Sequence, residues 1–231
     1  MRPSVGLLAI TLTVLLSIIF LASAALPAFP APPAPPAQKA KTRLFAPEDL
    51  GLLEAPDRHE WNKPDQIMDA LGIADGSAVA ELGAGGGWFV IQLAGRVGPN
   101  GLVYAEDIQS QMIEVIQRRV QRERLHNVRT VLGTASDARL PAGLDAVLIF
   151  DAYHEIEDPV TLLRNVARSL KPQGRLGIGD YTAGGGGPGP AAVDRPDPET
   201  VVKDAAAAGL QLTKREDIPP FLYLLVFSRE R

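Results

Sequence analysis

The chain contains no cysteine. That absence excludes a disulfide framework, a thiolate zinc site and a thiol nucleophile. Histidine is scarce as well. The three are His59, His126 and His154, and no two stand at a metal-ligand spacing such as HxxxH. Basic excess is also missing. Lys and Arg number 23 against 27 Asp and Glu, for a formal net charge of -4 over 231 residues. Nothing global gathers phosphates, so nucleic acid is not an expected partner. The local cluster Arg118, Arg119, Arg122 and Arg124 falls on an expected helix among Gln and Glu and reads as a solvated face.

What is present divides into three parts. Residues 5–26 are almost wholly apolar, with Thr11, Thr13, Ser17 and Ser23 as mild interruptions. Arg2 supplies a positive start, and Ala22-Ser23-Ala24 offers the small residues a signal peptidase reads. The run is also long enough to span a bilayer as a helix. Residues 1–26 are therefore expected to be a signal peptide or a membrane anchor. Residues 27–43 carry Pro27, Pro30, Pro32, Pro33, Pro35 and Pro36 among alanines. Such a stretch favours extended polyproline II and reads as a stiff linker. A cleaved leader places the chain in the periplasm or outside the cell. A retained one anchors it to the membrane, and Lys39, Lys41 and Arg43 then favour a cytoplasmic domain.

Residues 44–231 have globular composition and are expected to form one domain. Residues 57–71 read as an entry segment and helix with Pro64 in its first turn and a stripe of Ile67, Met68 and Leu71. Strands are expected at 78–82, 102–106, 128–132, 146–150 and 175–180, alternating with helices at 88–97, 110–125, 160–170 and 198–208. Two further strands, at 210–216 and 222–227, close the chain with room only for a hairpin. Continuous apolar strands alternating with helices imply an α/β fold, a mostly parallel seven-stranded sheet covered on both faces. The last strand should run antiparallel.

The strongest local signal follows the first strand: Glu81-Leu82-Gly83-Ala84-Gly85-Gly86-Gly87-Trp88. Glycines there permit positive φ and close backbone approach to a ligand. Read as the dinucleotide pattern GxGxxG, the segment puts Trp88 where the third glycine belongs, and that bulk opposes close helix-strand packing. The spacing ExGxGxG is complete: Glu81, Gly83, Gly85, Gly87. On this loop, on the acidic end of the second strand and on the turn Leu170-Lys171-Pro172-Gln173-Gly174-Arg175-Leu176, residues 61–231 resemble the class I S-adenosylmethionine-dependent methyltransferases. The segment Arg58-His59-Glu60-Trp61-Asn62-Lys63-Pro64 and the triplet Tyr153-His154-Glu155 look like the small-molecule, menaquinone-type branch.

The resemblance implies S-adenosyl-L-methionine as cofactor and a small-molecule acceptor. It implies that Glu81 holds the amino-acid end, that the three glycines shape the loop, and that Asp107, with Glu106 as fallback, holds the ribose hydroxyls. A contact beside the adenine is expected at Ala135, Ser136 or Asp137, and Asp151 is expected at the methionine end. His154 is the candidate general base and Tyr153 could orient the acceptor, each with a packing role as the plain alternative. Asp151 and Asp180 end neighbouring strands, but Tyr181 stands where a third metal ligand would be, so no metal is expected. The glycine-rich stretch 184–190 reads as a mobile lid or as a plain linker. Two rival functions are an NAD(P) oxidoreductase and a non-catalytic, membrane-tethered binding protein for the same nucleoside.

Overall fold

The computed structural model describes residues 44–184 and 186–230. The expected leader at 1–26 and linker at 27–43 lie outside the described residues. The described part opens with a 3-10 helix, Pro47–Leu53, followed by α1 (Arg58–Asn62) and α2 (Pro64–Ala70). The expected helix over 57–71 is thus broken at Lys63, which takes φ 44°. Pro64 explains the break: it suits a first helical position but disfavours right-handed helical backbone in the residue before it.

The alternating elements follow in the expected order. They are β1 (Ala78–Leu82), α3 (Trp88–Val97), β2 (Leu102–Asp107), α4 (Ser110–Arg122), β3 (Val128–Leu132), β4 (Leu144–Phe150), α5 (Pro159–Ser169), β5 (Leu170–Tyr181), α6 (Pro198–Ala207), β6 (Leu210–Ile218) and β7 (Leu222–Arg229). Helix α4 stops three residues short of expectation. Arg124 turns left-handed at φ 55°, and the N–H groups of Arg124 and Leu125 close back on the carbonyls of Gln121 and Val120. This is a Schellman stop made without glycine. Strand β5 starts five residues early: Leu170 pairs with Leu144 and Arg175 with Ala146, so residues 171–174 bulge out between them.

The seven strands stand in the order β3-β2-β1-β4-β5-β7-β6. Strands β1 to β5 pair in parallel. β7 runs antiparallel between β5 and β6. Side chains alternate across the sheet. Val79, Val103, Leu148 and Phe150 pack with α2, α3 and Ile116 of α4. Ala80, Val147, Ile149 and Ile178 pack with α5 and α6. Both faces are dry, which is why these strands read as unbroken apolar runs. The registers Leu82↔Glu106, Leu82↔Ile149 and Phe150↔Gly179 bring the carboxyl ends of β1, β2, β4 and β5 into one edge. Among the described residues no helix is long and apolar enough to cross a membrane.

The glycine-rich stretch after β5, expected as a lid or a linker, is folded around one cation. Arg195 is buried and donates to the carbonyls of Thr182, Gly186, Pro188 and Pro190 at 2.9–3.2 Å. Its guanidinium lies 5.2 Å from the centre of the Tyr181 ring. Replacing Arg195 by Ala removes the donor for all four carbonyls. The expected result is a loss of about 1–3 kcal/mol in urea unfolding and faster limited proteolysis between residues 182 and 197. Arg195→Lys should recover little, because an ammonium lacks the planar fork. Unchanged cleavage in the Ala variant would count against this account.

Candidate functional site

The loop after β1 sits at the carboxyl edge of the sheet. Gly83, Gly85 and Gly87 take φ of 66°, 51° and 76°, the left-handed region in all three. A side chain is resisted most at Gly83, where a Cβ would stand 2.7 Å from the Cβ of Ala152. Gly87 caps the start of α3. The loop is pinned to β2 from both ends of one dipeptide. The Ala84 N–H donates to the Glu106 carbonyl at 2.9 Å, and the Gly85 N–H donates to Asp107 Oδ2 at 2.9 Å. Asp107 Oδ1 accepts from the Gln109 N–H at 2.9 Å.

Carboxylates crowd this edge. Glu81, Glu106, Asp107 and Asp180 are all buried. Burial pushes Glu81 up to about 8, against the pull of Arg58 and with help from the charge of Asp107. Burial, then Asp107, pushes Glu106 up to about 8. Glu106 packs against Gly133, where any Cβ would collide with its carboxyl. Burial, then Asp180, pushes Asp151 up to about 7. Burial also raises Asp107, although the N–H groups of Gln109 and Gly85 oppose it. Buried oxygens without a hydrogen-bond partner among the described residues include Glu81 Oε2, Asp151 Oδ1 and Asp180 Oδ2.

The other expected residues are placed as follows. Asp151 follows β4 with φ 53°, its N–H bonded to the Gly179 carbonyl of β5. His154 lies in a 3-10 turn, Tyr153–Glu155, with Nδ1 3.5 Å from Asp180 Oδ2 and Nε2 3.8 Å from Glu155 Oε1. Burial alone would lower its pKa, but the neighbouring carboxylates, Asp180 foremost, outweigh that and raise it. Tyr153 is turned elsewhere. Its ring joins the core under α5 and α6, and its hydroxyl donates to Asp204 Oδ2 of α6 at 2.8 Å. Ser136 and Asp137 are exposed, in a turn closed by Thr134 and Asp137. Asp137 Oδ1 accepts from the Arg139 N–H, and the Ser136 carbonyl from Asn165 Nδ2.

Two cations at the site came from places the sequence did not mark as functional. Arg58 of α1 is buried, its guanidinium 4.6 Å from the centre of the Trp88 ring, and it acts electrostatically on both Asp151 and Glu81. Arg119 leaves the solvated face expected for its cluster. It donates to both Glu54 oxygens and, at 2.7 Å, to the Gly86 carbonyl. These bonds, with Gln109 Nε2 to the Phe45 carbonyl and the Phe45 N–H to Glu155, hold the entry segment against the glycine loop. The signal for Arg58 was the segment around Trp61. No signal existed for Arg119, whose partner Glu54 is 65 residues away.

A parallel sheet with a glycine turn after β1, an acid at the end of β2 and an antiparallel β7 inserted beside β5 defines the class I methyltransferase fold. Comparison with known proteins agrees. Residues 79–174 match the family model described as a methyltransferase domain. A demethylmenaquinone methyltransferase of Geobacillus stearothermophilus is 31% identical over 119 residues, 51% of this chain and 50% of that protein. A S-adenosylmethionine-dependent methyltransferase from Aquifex aeolicus superposes with a TM-score of 0.75 at 24% identity, over 79% of this chain and 98% of that one. A geranyl diphosphate C-methyltransferase from Streptomyces coelicolor gives 0.62 at 16%, over 80% and 85%. The chain has the fold of the class I S-adenosylmethionine-dependent methyltransferases, and its residues 79–174 are similar to the methyltransferase-domain family. It spans about half the length of the curated relatives it matches.

The loop geometry separates two glycine substitutions. Gly85→Ala meets nothing within 4 Å and carries left-handed strain alone, about 1 kcal/mol. Gly83→Ala adds the contact with Ala152 and should cost about 2–4 kcal/mol. Urea unfolding of both variants checks the order, and equal losses would refute the contact.

Proposed function

We propose that this protein transfers the methyl group of S-adenosylmethionine to a small-molecule acceptor. The observation that carries the reading is the left-handed glycine turn pinned by its own N–H to the carboxylate of Asp107. The residues at hand fit that cofactor. Glu81 keeps one buried oxygen without a partner among the described residues, and Arg58 lies close enough to act on it electrostatically. Together they present both signs, as an amino-acid zwitterion requires. Asp107 keeps lone pairs free for two hydroxyls, since each oxygen accepts one backbone N–H. Ser136 and Asp137 border the adenine end.

The cofactor when bound supplies an already activated methyl group on a sulfonium. The protein's task is to place the acceptor in line and to exclude water. Glu81 and Arg58 fix one end, Asp107 the middle, and the entry segment held by Arg119 covers the glycine loop. Asp151, His154 and Asp180 stand at the acceptor end, and any acceptor proton is theirs to manage. The relatives named as demethylmenaquinone methyltransferases support an acceptor of small-molecule size. The comparisons give no support to the oxidoreductase. For the N-terminal segment we keep the sequence reading, export signal or membrane anchor. The mass of the mature N-terminus distinguishes a cleaved leader from a retained one.

Calorimetry with S-adenosylmethionine and S-adenosylhomocysteine tests the reading. Asp107→Asn should weaken both by about 10–100-fold, the loss of a charge-assisted hydrogen-bond acceptor. No affinity in the wild type, or none lost in the variant, would sink the assignment.

Glu81 makes the binding depend on pH. Its carboxyl sits near 8 in the folded protein against about 4.3 in an unfolded chain. The free fold therefore favours the protonated form, and this contribution to stability is full below about pH 4.3 and is lost as pH rises to 8. An ammonium ligand needs the ionised form. Affinity should rise by up to about tenfold per unit between pH 6 and 8 and then level off. Glu81→Gln should flatten the profile, and a flat wild-type profile would remove Glu81 from this role.

A further inference from the structure

We propose that Asp151, His154 and Asp180 form a binding site for a first-row divalent cation such as Mn2+. One oxygen from each aspartate and a ring nitrogen of His154 all lie within 4.8 Å of one another. Ligands at about 2.0–2.2 Å from a metal stand no more than about 4.4 Å apart, so inward movement of a few tenths of an ångström closes the sphere. The three groups are also idle in the way ligands are. Asp151 Oδ1, His154 Nδ1 and Asp180 Oδ2 are buried and have no hydrogen-bond partner among the described residues. Asp180 is 0% exposed and the His154 side chain 9%. A buried polar atom left unpaired is costly, and here three lie together, His154 Nδ1 standing 3.5 Å from Asp180 Oδ2.

The surroundings match a ligand set in two further respects. His154 turns Nδ1 to Asp180 and Nε2 to Glu155, whose carboxylate is itself held by the Phe45 N–H. A metal-bound histidine commonly directs its other ring N–H to a carboxylate, which fixes the tautomer. Asp151 holds a left-handed backbone without being glycine, and strain of that kind gathers at functional positions. That conformation, with the bond from its N–H to Gly179, sets its carboxylate beside the end of β5.

Chemistry narrows the ion. A ring nitrogen with two carboxylates suits Mn2+, Fe2+ or Zn2+ better than Mg2+ or Ca2+, which prefer all-oxygen sets. Two carboxylates balance the charge of a divalent ion, with His154 neutral. The ion would keep open positions toward the acceptor end, so the acceptor class it selects is one bearing a hydroxyl or enolisable oxygen. His154 is then a ligand and not a base. The proposal reverses the expectation of no metal, and the reason is spatial. The third ligand absent beside Asp180 in sequence arrives from the turn after β4.

The test uses the full chain, stripped with a chelator and titrated with Mn2+ while the spin resonance of the free ion is recorded. One ion per chain is expected, with His154→Gln and Asp180→Asn each weakening binding at least tenfold. If Asp180→Asn fails to fold, Asp151→Asn takes its place. No Mn2+ or Zn2+ uptake by the wild type overturns the proposal. Uptake equal in wild type and variants places the ion elsewhere and overturns it too. Calorimetry with S-adenosylmethionine on the same samples keeps the two readings apart. Mn2+ binding without nucleoside binding would defeat the methyltransferase reading alone, and the converse would defeat only the cation site.

Discussion

Four carboxylates, Glu81, Glu106, Asp107 and Asp180, are buried at the carboxyl ends of three strands of one sheet. In a low-dielectric interior such groups repel one another and lose hydration, so each needs a donor, a cation or a proton. The molecule uses all three. Backbone N–H groups of Gly85 and Gln109 serve Asp107. The Arg58 guanidinium offsets Glu81 and Asp151. Burial raises the proton affinity of Glu81, Glu106 and Asp151, to pKa values of about 8, 8 and 7. The glycine turn belongs to this arrangement, because only a left-handed backbone aims the Gly85 N–H at the Asp107 carboxylate.

Three arginines do the corresponding work from outside the sheet. Arg58 brings α1 to the acidic edge, Arg119 ties α4 to the entry segment and the Gly86 carbonyl, and Arg195 gathers the carbonyls after β5. Each is a planar donor with several N–H groups, suited to holding more than one acceptor at a time. Irregular segments are thereby fixed where apolar packing alone would leave backbone groups without partners.

Much of the architecture was legible in the sequence. β1, α3 and β3 begin and end where their patterns and flanking glycines place them, and the hairpin of β6 and β7 follows from the short gap between them. The glycine turn was legible too: the spacing singled out Gly83, Gly85 and Gly87 and passed over Gly86, the division the backbone angles show. The misses have local physical causes. Lys63 breaks a helix because of the proline after it, Arg124 ends one through main-chain bonds that need no glycine, and residues 171–174 bulge inside what reads as a turn. Tyr153 stands beside His154 in sequence but faces the opposite core, since neighbouring residues in a tight turn point apart.

By itself the sequence determined the order of elements, the sheet with both faces covered and the place of the glycine turn after the first strand. Those depend on periodicity and on residues close together in the chain. Only the tertiary structure decided which charges meet. Asp151 and His154 come to Asp180 from another strand end, Arg58 reaches Glu81 and Asp151 from the entry helix, and Arg119 finds Glu54 across 65 residues. Electrostatic partnership depends on distance through space and on exclusion of water, and neither is written in spacing along a chain.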